Sequence, residues 1–296
     1  MGTRPSLALS FLFTNLGKLV RSRLKKASIF TFSTFAGIMI ATRGDFKLEV
    51  LALAPLSTFL ISLSVYLLND VFDLDVDKIN APSRPLAMNT ATRNQAFALV
   101  LLFNGFGASI GFVLGKWAFV ITLLEVLLGI LYSVRPFNFK DRFIVKTLSI
   151  GAGGVLANLY GGIASGVVNL DLLFCSALFV VFIFSTSPLN DLADYVGDKS
   201  QNRKTIPIVI GEKRTIKLSI LASIALPVSA LILFEILSFN PISIVLLSVT
   251  ALWALRLLLP LDRSEANFAT IRKQQEKLVY LHFLLLTALI VGSLSI

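Results

Sequence analysis

The chain has 296 residues, 27 Lys and Arg against 17 Asp and Glu, a net charge of +10, and 55% hydrophobic residues with only 15% charged. A mean hydropathy of +0.82 with so little charge excludes an ordinary water-soluble domain, because a water-facing surface needs more polar cover than this. The single cysteine, Cys175, excludes an internal disulfide framework, and no CxxC or Cys/His cluster offers a zinc site.

From the N-terminus, Ser6–Phe13 is apolar and is followed by a basic run. Charges after the apolar part, with no small-residue cleavage site, argue against a secretory signal. The segment 1–26 reads instead as a cytoplasmic or interfacial stretch with an amphipathic helix, a receptor-read address being the alternative. Nine apolar windows long enough to cross a bilayer core follow, at roughly 27–42, 50–68, 95–114, 117–134, 147–165, 170–188, 216–238, 241–259 and 278–295. The expected fold is therefore all-α: a polytopic membrane protein of nine transmembrane helices in one domain over 1–296, with two pseudo-repeated halves.

The basic residues check this topology. With the N-terminus inside, every Lys and Arg except Arg43, Lys47 and Lys116 falls before the first span or in an alternate, cytoplasmic connection. The positive charge is thus a record of orientation. Basic residues interleaved with spans do not form the clustered basic face of a nucleic-acid binder, so membrane lipids are expected neighbours and nucleic acid is not.

At the end of the second span stands Asn69-Asp70-Val-Phe-Asp73-Leu-Asp75-Val-Asp77-Lys78. At the end of the sixth, 121 residues on, stands Asn190-Asp191-Leu-Ala-Asp194-Tyr-Val-Gly-Asp198-Lys199. Both read N-D-x-x-D-x-x-x-D-K. Downstream, Asn80, Arg84 and Pro85 answer Asn202, Arg203 and Pro207. On a helix, positions i, i+3 and i+7 fall within an arc of roughly 60°. Asp70, Asp73 and Asp77 are therefore expected on one face, as are Asp191, Asp194 and Asp198. Carboxylates so concentrated repel one another unless a cation compensates them. Hard oxygens at a polar boundary suit Mg²⁺, which binds a few carboxylates while keeping waters and substrate phosphates in its shell. Asp75 is out of phase and reads as a surface or supporting acid. An EF-hand is excluded by the missing loop Gly and closing Glu, and no GxxxxGK[ST] marks a P-loop.

Nine spans and these two motifs resemble the UbiA superfamily of intramembrane prenyltransferases. The likeness extends to Asp77-Lys-Ile-Asn-Ala-Pro-Ser-Arg84-Pro85, Tyr132-Ser-Val-Arg135-Pro136-Phe-Asn-Phe-Lys140 and Lys204-Thr-Ile-Pro207-Ile-Val-Ile-Gly211. The resemblance implies Mg²⁺-dependent transfer of an isoprenyl group, for example geranylgeranyl, from its diphosphate to a lipid or aromatic acceptor within the membrane. Ether-lipid and quinone precursors are the leading acceptor types. It implies a metal set of Asp70, Asp73, Asp77, Asp191, Asp194 and Asp198, of which Asp73, Asp77, Asp194 and Asp198 act in catalysis. Asn69, Arg84, Lys140, Lys199 and Arg203 become candidates for the diphosphate, and Tyr132 for the acceptor or the developing cation. A transporter with an acidic site near the cytoplasmic face is the competing reading, prompted by the twofold repeat. Within the spans, Glu125, Glu235 and His282 stand out as ionisable groups at membrane depth.

Overall fold

The computed structural model describes residues 14–237, 239–263 and 268–294. The expectation for Ser6–Phe13 lies outside the described residues. Each apolar window becomes a helix, because at membrane depth only a helix satisfies its own backbone polar groups. In chain order the helices are α1 (Leu24–Thr42), α2 (Leu48–Phe72), α3 (Leu74–Asn80), α4 (Arg93–Leu114), α5 (Lys116–Ser133), α6 (Val145–Ala164), α7 (Leu170–Ala193), α8 (Tyr195–Ser200), α9 (Ile206–Ile210), α10 (Glu212–Leu237), α11 (Ile242–Arg263), α12 (Phe268–Gln275) and α13 (Leu278–Ser293). Among the described residues nine stretches are long and apolar enough to cross a membrane: α1, α2, α4, α5, α6, α7, α10, α11 and the α12–α13 pair. The last is longer than its apolar window, because α12 adds a polar approach to the apolar α13.

These spans form a closed ring. Each of α1, α2, α4, α5, α6, α7, α10, α11 and α13 packs on the next, and α13 returns to α1. Across the ring α1 also packs on α6. Glycines set that crossing: a Cβ at Gly37 would fall on the backbone of Asn158, and one at Gly161 on the carbonyl of Thr34. Small residues let helix backbones meet in this way where lipid supplies no hydrophobic drive. The same crossing satisfies its buried polar groups. Thr34 donates to the Ala157 carbonyl at 2.9 Å and shares a 2.7 Å hydrogen bond with Thr58, while Asn158 donates to the Ser33 carbonyl at 3.1 Å and accepts from Ser176 at 2.9 Å. At the end of the ring away from the aspartates, Arg43 pairs with the buried Asp171 at 2.7 Å and joins α1 to α7.

The structure corrects one expectation. Neither Asp motif lies on one continuous helix: α2 ends at Phe72 and α7 at Ala193. At each break the middle aspartate leaves helical dihedrals in the same way, Asp73 with φ −100°, ψ 9° and Asp194 with φ −100°, ψ 7°. The backbone bonds around them also match: Asp73 N–H donates to the Asn69 carbonyl (2.9 Å) and Asp194 N–H to that of Asn190 (3.1 Å). The bend lets the short α3 pack on the short α8, which a straight continuation of two spans does not provide. It also separates the middle carboxylate from the outer two, which share Arg84 in the first motif and Lys146 in the second, while Asp73 meets Lys140 and Arg203 and Asp194 meets Arg272.

Candidate functional site

Both motifs meet at one end of the ring. Asn80, at the end of α3, spans to the second motif, donating to the Asp194 carbonyl at 3.0 Å and accepting from Gly197 N–H at 3.1 Å. Gly197 is needed there, since a Cβ would fall on the Asn80 carboxamide. Arg203 is the second tie. Its guanidinium pairs with Asp73 of the first motif, with Asp198 of the second at 3.3 Å, and with Asp141 at 2.8 Å. A planar fork with several donors suits such a bridge better than an ammonium.

The remaining carboxylates are also held by cations. Asp70 pairs with Arg23 and, at 3.4 Å, with Arg84, whose same nitrogen pairs with Asp77. Lys140 lies 2.8 Å from Asp73 and donates to Asn69 at 3.4 Å. Lys146 lies 2.6 Å from Asp191 and 3.5 Å from Asp198. Asp194, the most exposed of the six, pairs with Arg272 at 3.1 Å.

Burial and pairing then decide each charge. Burial pushes the Asp73 carboxyl up, but Lys140 and Arg203 outweigh it and hold the group below the usual carboxylate range. For Asp77 burial prevails over Arg84 and the pKa is raised, and Asp198 is likewise raised despite Lys146 and Arg203. Burial lowers Lys140 despite its pairing with Asp73. Arg203 goes the other way: burial opposes its charge, but Asp73, Asp141 and Asp198 together hold it.

Between the motifs opens a cavity of about 260 Å³, just below the range for ligand sites, about 300–1,000 Å³. One end is lined by Asn69, Asp73, Asp77, Asp191, Asp194 and Asp198, with Arg84, Lys140, Lys146 and Arg203 among them; the other is lined by Phe30, Ile61, Val65, Leu128, Phe179 and Ile183. Tyr132 stands on the wall between these ends. Two candidates lie outside the lining. Asp70 sits behind it, clamping Arg23 and Arg84. Lys199 is exposed on α8 with its ammonium 5.5 Å from the Tyr195 ring centre. Asp75 is a surface acid paired with Lys78 at 3.2 Å. His282 reaches the apolar end of the cavity, where it contacts Thr186 at 3.5 Å; Glu125 lines that end too, and Glu235 is exposed on α10.

Lys146, Arg23, Arg272 and Asp141 join the motif aspartates through ion pairs or the shared Arg203, although they stand outside both motifs in the sequence. Lys146 had a signal: it occupies the first turn of α6, where a cation opposes the helix dipole and needs an anion beside it.

The acidic end fits a divalent ion in its donor chemistry. Asp191 Oδ2 is buried with no hydrogen-bond donor, and Asp191 Oδ1 and Asp198 Oδ2 face only the Lys146 ammonium, at 2.6 and 3.5 Å, so acceptor capacity there is left over. Among the described residues no three acidic, His or Cys side chains converge tightly enough to hold an ion by themselves. Mg²⁺ is the cation suited to such a set, since it takes one or two carboxylates and completes its shell with waters and phosphate oxygens.

A closed ring of apolar helices around a chamber, charged at one end and apolar at the other, defines an integral membrane protein. Residues 30–292 match the UbiA prenyltransferase family, and the chain belongs to that family. The digeranylgeranylglyceryl phosphate synthase of Thermococcus sibiricus is 32% identical over 190 residues, 61% of this chain and 66% of that relative, so the match spans just under two thirds of the relative's length. A UbiA homolog from Aeropyrum pernix K1 shares the fold with a TM-score of 0.75 over 91% of this chain and 98% of its own, at 18% identity. A UbiA homolog from Archaeoglobus fulgidus, bound to DMAPP and Mg²⁺, shares it with a TM-score of 0.66 over 92% and 99%, at 16% identity.

Proposed function

We propose that this protein transfers an isoprenyl group from its diphosphate to a lipid acceptor in the membrane, with Mg²⁺ at the aspartate end. The observation that carries this reading is the duplicated motif lining one end of a chamber whose other end is apolar, since that pairing matches a diphosphate head and a hydrocarbon tail. The relative from Thermococcus sibiricus, a digeranylgeranylglyceryl phosphate synthase, favours a lipid over an aromatic acceptor. The basic residues at the motif end favour a cytoplasmic site.

Asp73, Asp77, Asp191, Asp194 and Asp198 line the place where Mg²⁺ would bind, an ion taking one or two of them and completing its shell with water and diphosphate oxygens, with Asp70 holding Arg23 and Arg84 in place behind them. When bound, the ion supplies Lewis-acid neutralisation of the charge developing on the leaving diphosphate. Lys140, Lys146, Arg84 and Arg203 donate to diphosphate oxygens, and their carboxylate partners fix them before the substrate arrives, so little reorganisation is needed in the reaction. Asn69 supplies a carboxamide beside Lys140. The Tyr132 ring, below the charged end, faces the allylic carbon as its C–O bond breaks and stabilises positive charge there. The apolar lining takes the tail and keeps water from capturing the cation. The acceptor oxygen forms the new C–O bond, and its proton leaves to the solvent at the charged end.

The test is incubation of purified protein with Mg²⁺, isoprenyl diphosphates and a panel of lipid and aromatic acceptors, followed by mass analysis. A prenylated lipid formed with Mg²⁺ and lost with EDTA is expected. Absence of any prenylated product, with solute flux across sealed vesicles instead, would overturn the reading.

A further inference from the structure

Isoprenyl transfer to a hydroxyl leaves a proton to be placed. The acceptor oxygen carries a hydrogen that must go as the new C–O bond forms, and a base positioned beside it speeds such a step by about 10²–10⁴-fold. The motif aspartates are occupied, each being paired with a cation.

His282, the chain's only histidine, is placed for this task. It is 7% exposed and lines the chamber. Its Nδ1 lies 3.1 Å from the Leu278 carbonyl. A carbonyl only accepts, so in the neutral ring Nδ1 carries the proton and Nε2 keeps a lone pair. Phe182, edge-on at 4.9 Å, and Phe179 at 6.2 Å hold the ring in this pose. Among the described residues Nε2 meets one polar atom, the Thr186 hydroxyl at 3.5 Å, and that hydroxyl also lies 3.5 Å from the Ile183 carbonyl. One hydroxyl proton cannot serve both, and each distance is long for a hydrogen bond. A buried acceptor left this way has capacity for a donor from the chamber.

The position suits an acceptor hydroxyl. Thr186 stands five residues before Asp191 on α7, about 7.5 Å along the helix, which puts the imidazole beneath the charged end. It also faces Tyr132 across the chamber, since α13 packs on α11 and α1 while α5, which carries Tyr132, packs on α4 and α6.

We propose that His282 is the base of the transfer, taking the acceptor's proton on Nε2. The acceptor lies on the α13 side, with the allylic carbon between it and Tyr132. As the allylic C–O bond breaks, its electron pair leaves with the diphosphate; a lone pair of the acceptor oxygen forms the new C–O bond, and the O–H proton passes to Nε2. The imidazolium then gives that proton to water at the charged end, past Leu278 one turn above it. The proposal rests on the isoprenyl-transfer reading and adds to it a catalytic residue outside both motifs.

The experiment uses full-length protein in lipid nanodiscs with Mg²⁺, geranylgeranyl diphosphate and a monoalkyl ether of glycerol phosphate as acceptor. His282→Ala should lose at least about a hundredfold in turnover yet bind the unreactive thiolodiphosphate within about twofold of wild type. Added imidazole should restore at least about tenfold of that loss and leave wild type unchanged. Thr186→Val, which removes the polar contact at Nε2, should keep turnover within about twofold. Turnover in His282→Ala near that of wild type, a loss matched by lost thiolodiphosphate binding, a loss that imidazole does not restore, or an equal loss in Thr186→Val overturns the proposal. Wild type tests it without any variant, because one histidine gives one pair of nitrogen-15 resonances. Labelled protein should show a protonated Nδ1 and a bare Nε2, and acceptor added with thiolodiphosphate should shift Nε2; a protonated Nε2 in the neutral ring, or no shift, overturns it. If wild type forms no prenylated product, the transfer reading itself falls and takes the proposal with it, whereas an active wild type matched by His282→Ala removes the proposal alone.

Discussion

Replacing Arg203 with Gln perturbs the point where the two motifs are joined. The Arg203 side chain is 9% exposed and pairs with Asp73, Asp198 and Asp141. Removing one partner of a buried pair costs about 3–5 kcal/mol, because the other charge stays buried and uncompensated. Asp73 keeps Lys140 at 2.8 Å and Asp198 keeps Lys146 at 3.5 Å, which places the loss at the lower end, about 3 kcal/mol. A Lys in the same place should restore little, since one ammonium cannot span three carboxylates in a fork. Removing a stranded charge as well should help: Asp198→Asn in the Arg203→Gln background is expected to recover about 1 kcal/mol, a coupling typical of residues in one network. Reversible denaturation of the detergent-solubilised protein reads both numbers. A single variant within about 1 kcal/mol of wild type, or a double variant less stable than the single, would refute the reasoning.

Further outcomes follow from the same contacts. In metal-free, EDTA-treated protein, burial raises Asp77 and Asp198, so the stability they contribute is full below the unfolded carboxylate value and is lost as pH rises through their folded values. Asp73, held low by Lys140 and Arg203 against burial, has the opposite sign and loses its contribution only as pH falls through its folded value. Lowering the pH from about 7 toward the carboxylate range near 4 should first raise the melting temperature, and Mg²⁺, competing with those protons, should remove the gain; a steady fall in EDTA would contradict this. Gly161→Ala should lose about 1–3 kcal/mol or more, since its Cβ meets backbone atoms of α1 that cannot repack, while the folded fraction keeps its donor affinity in a binding titration. Lys199→Ala should change kcat/KM by less than about twofold, as expected for an exposed cation away from the chamber; a large loss would place Lys199 in the site.

The nine spans and the repeat were legible because hydropathy and residue identity carry them directly. The break at each middle aspartate was not, since 3.6-residue periodicity describes a straight helix and says nothing of where one bends to pack on its counterpart. Adjacency in the motif misled at Lys199: the residue next to Asp198 on a helix points about 100° away, toward Tyr195 and solvent. Asp70 has the right spacing but lies before the bend, where Arg23 and Arg84 hold it behind the chamber. Arg84 and Arg203 answer each other in the repeat, yet Arg84 serves its own motif while Arg203 crosses to Asp73. Lys146 and Arg23 are partners over long sequence separations, and no local pattern joins them to the aspartates.

If two motifs 121 residues apart form one site for a Mg²⁺-bound diphosphate, losses in the two are not independent. The most direct measurement is a double-mutant cycle on Mg²⁺-dependent binding of an isoprenyl thiolodiphosphate by wild type, Asp73→Asn, Asp191→Asn and the double variant. Groups that act as a unit are strongly non-additive, so each single replacement should weaken binding about a hundredfold and the double variant little further. Two independent losses that simply add, or a single variant that binds as wild type does, would contradict the account.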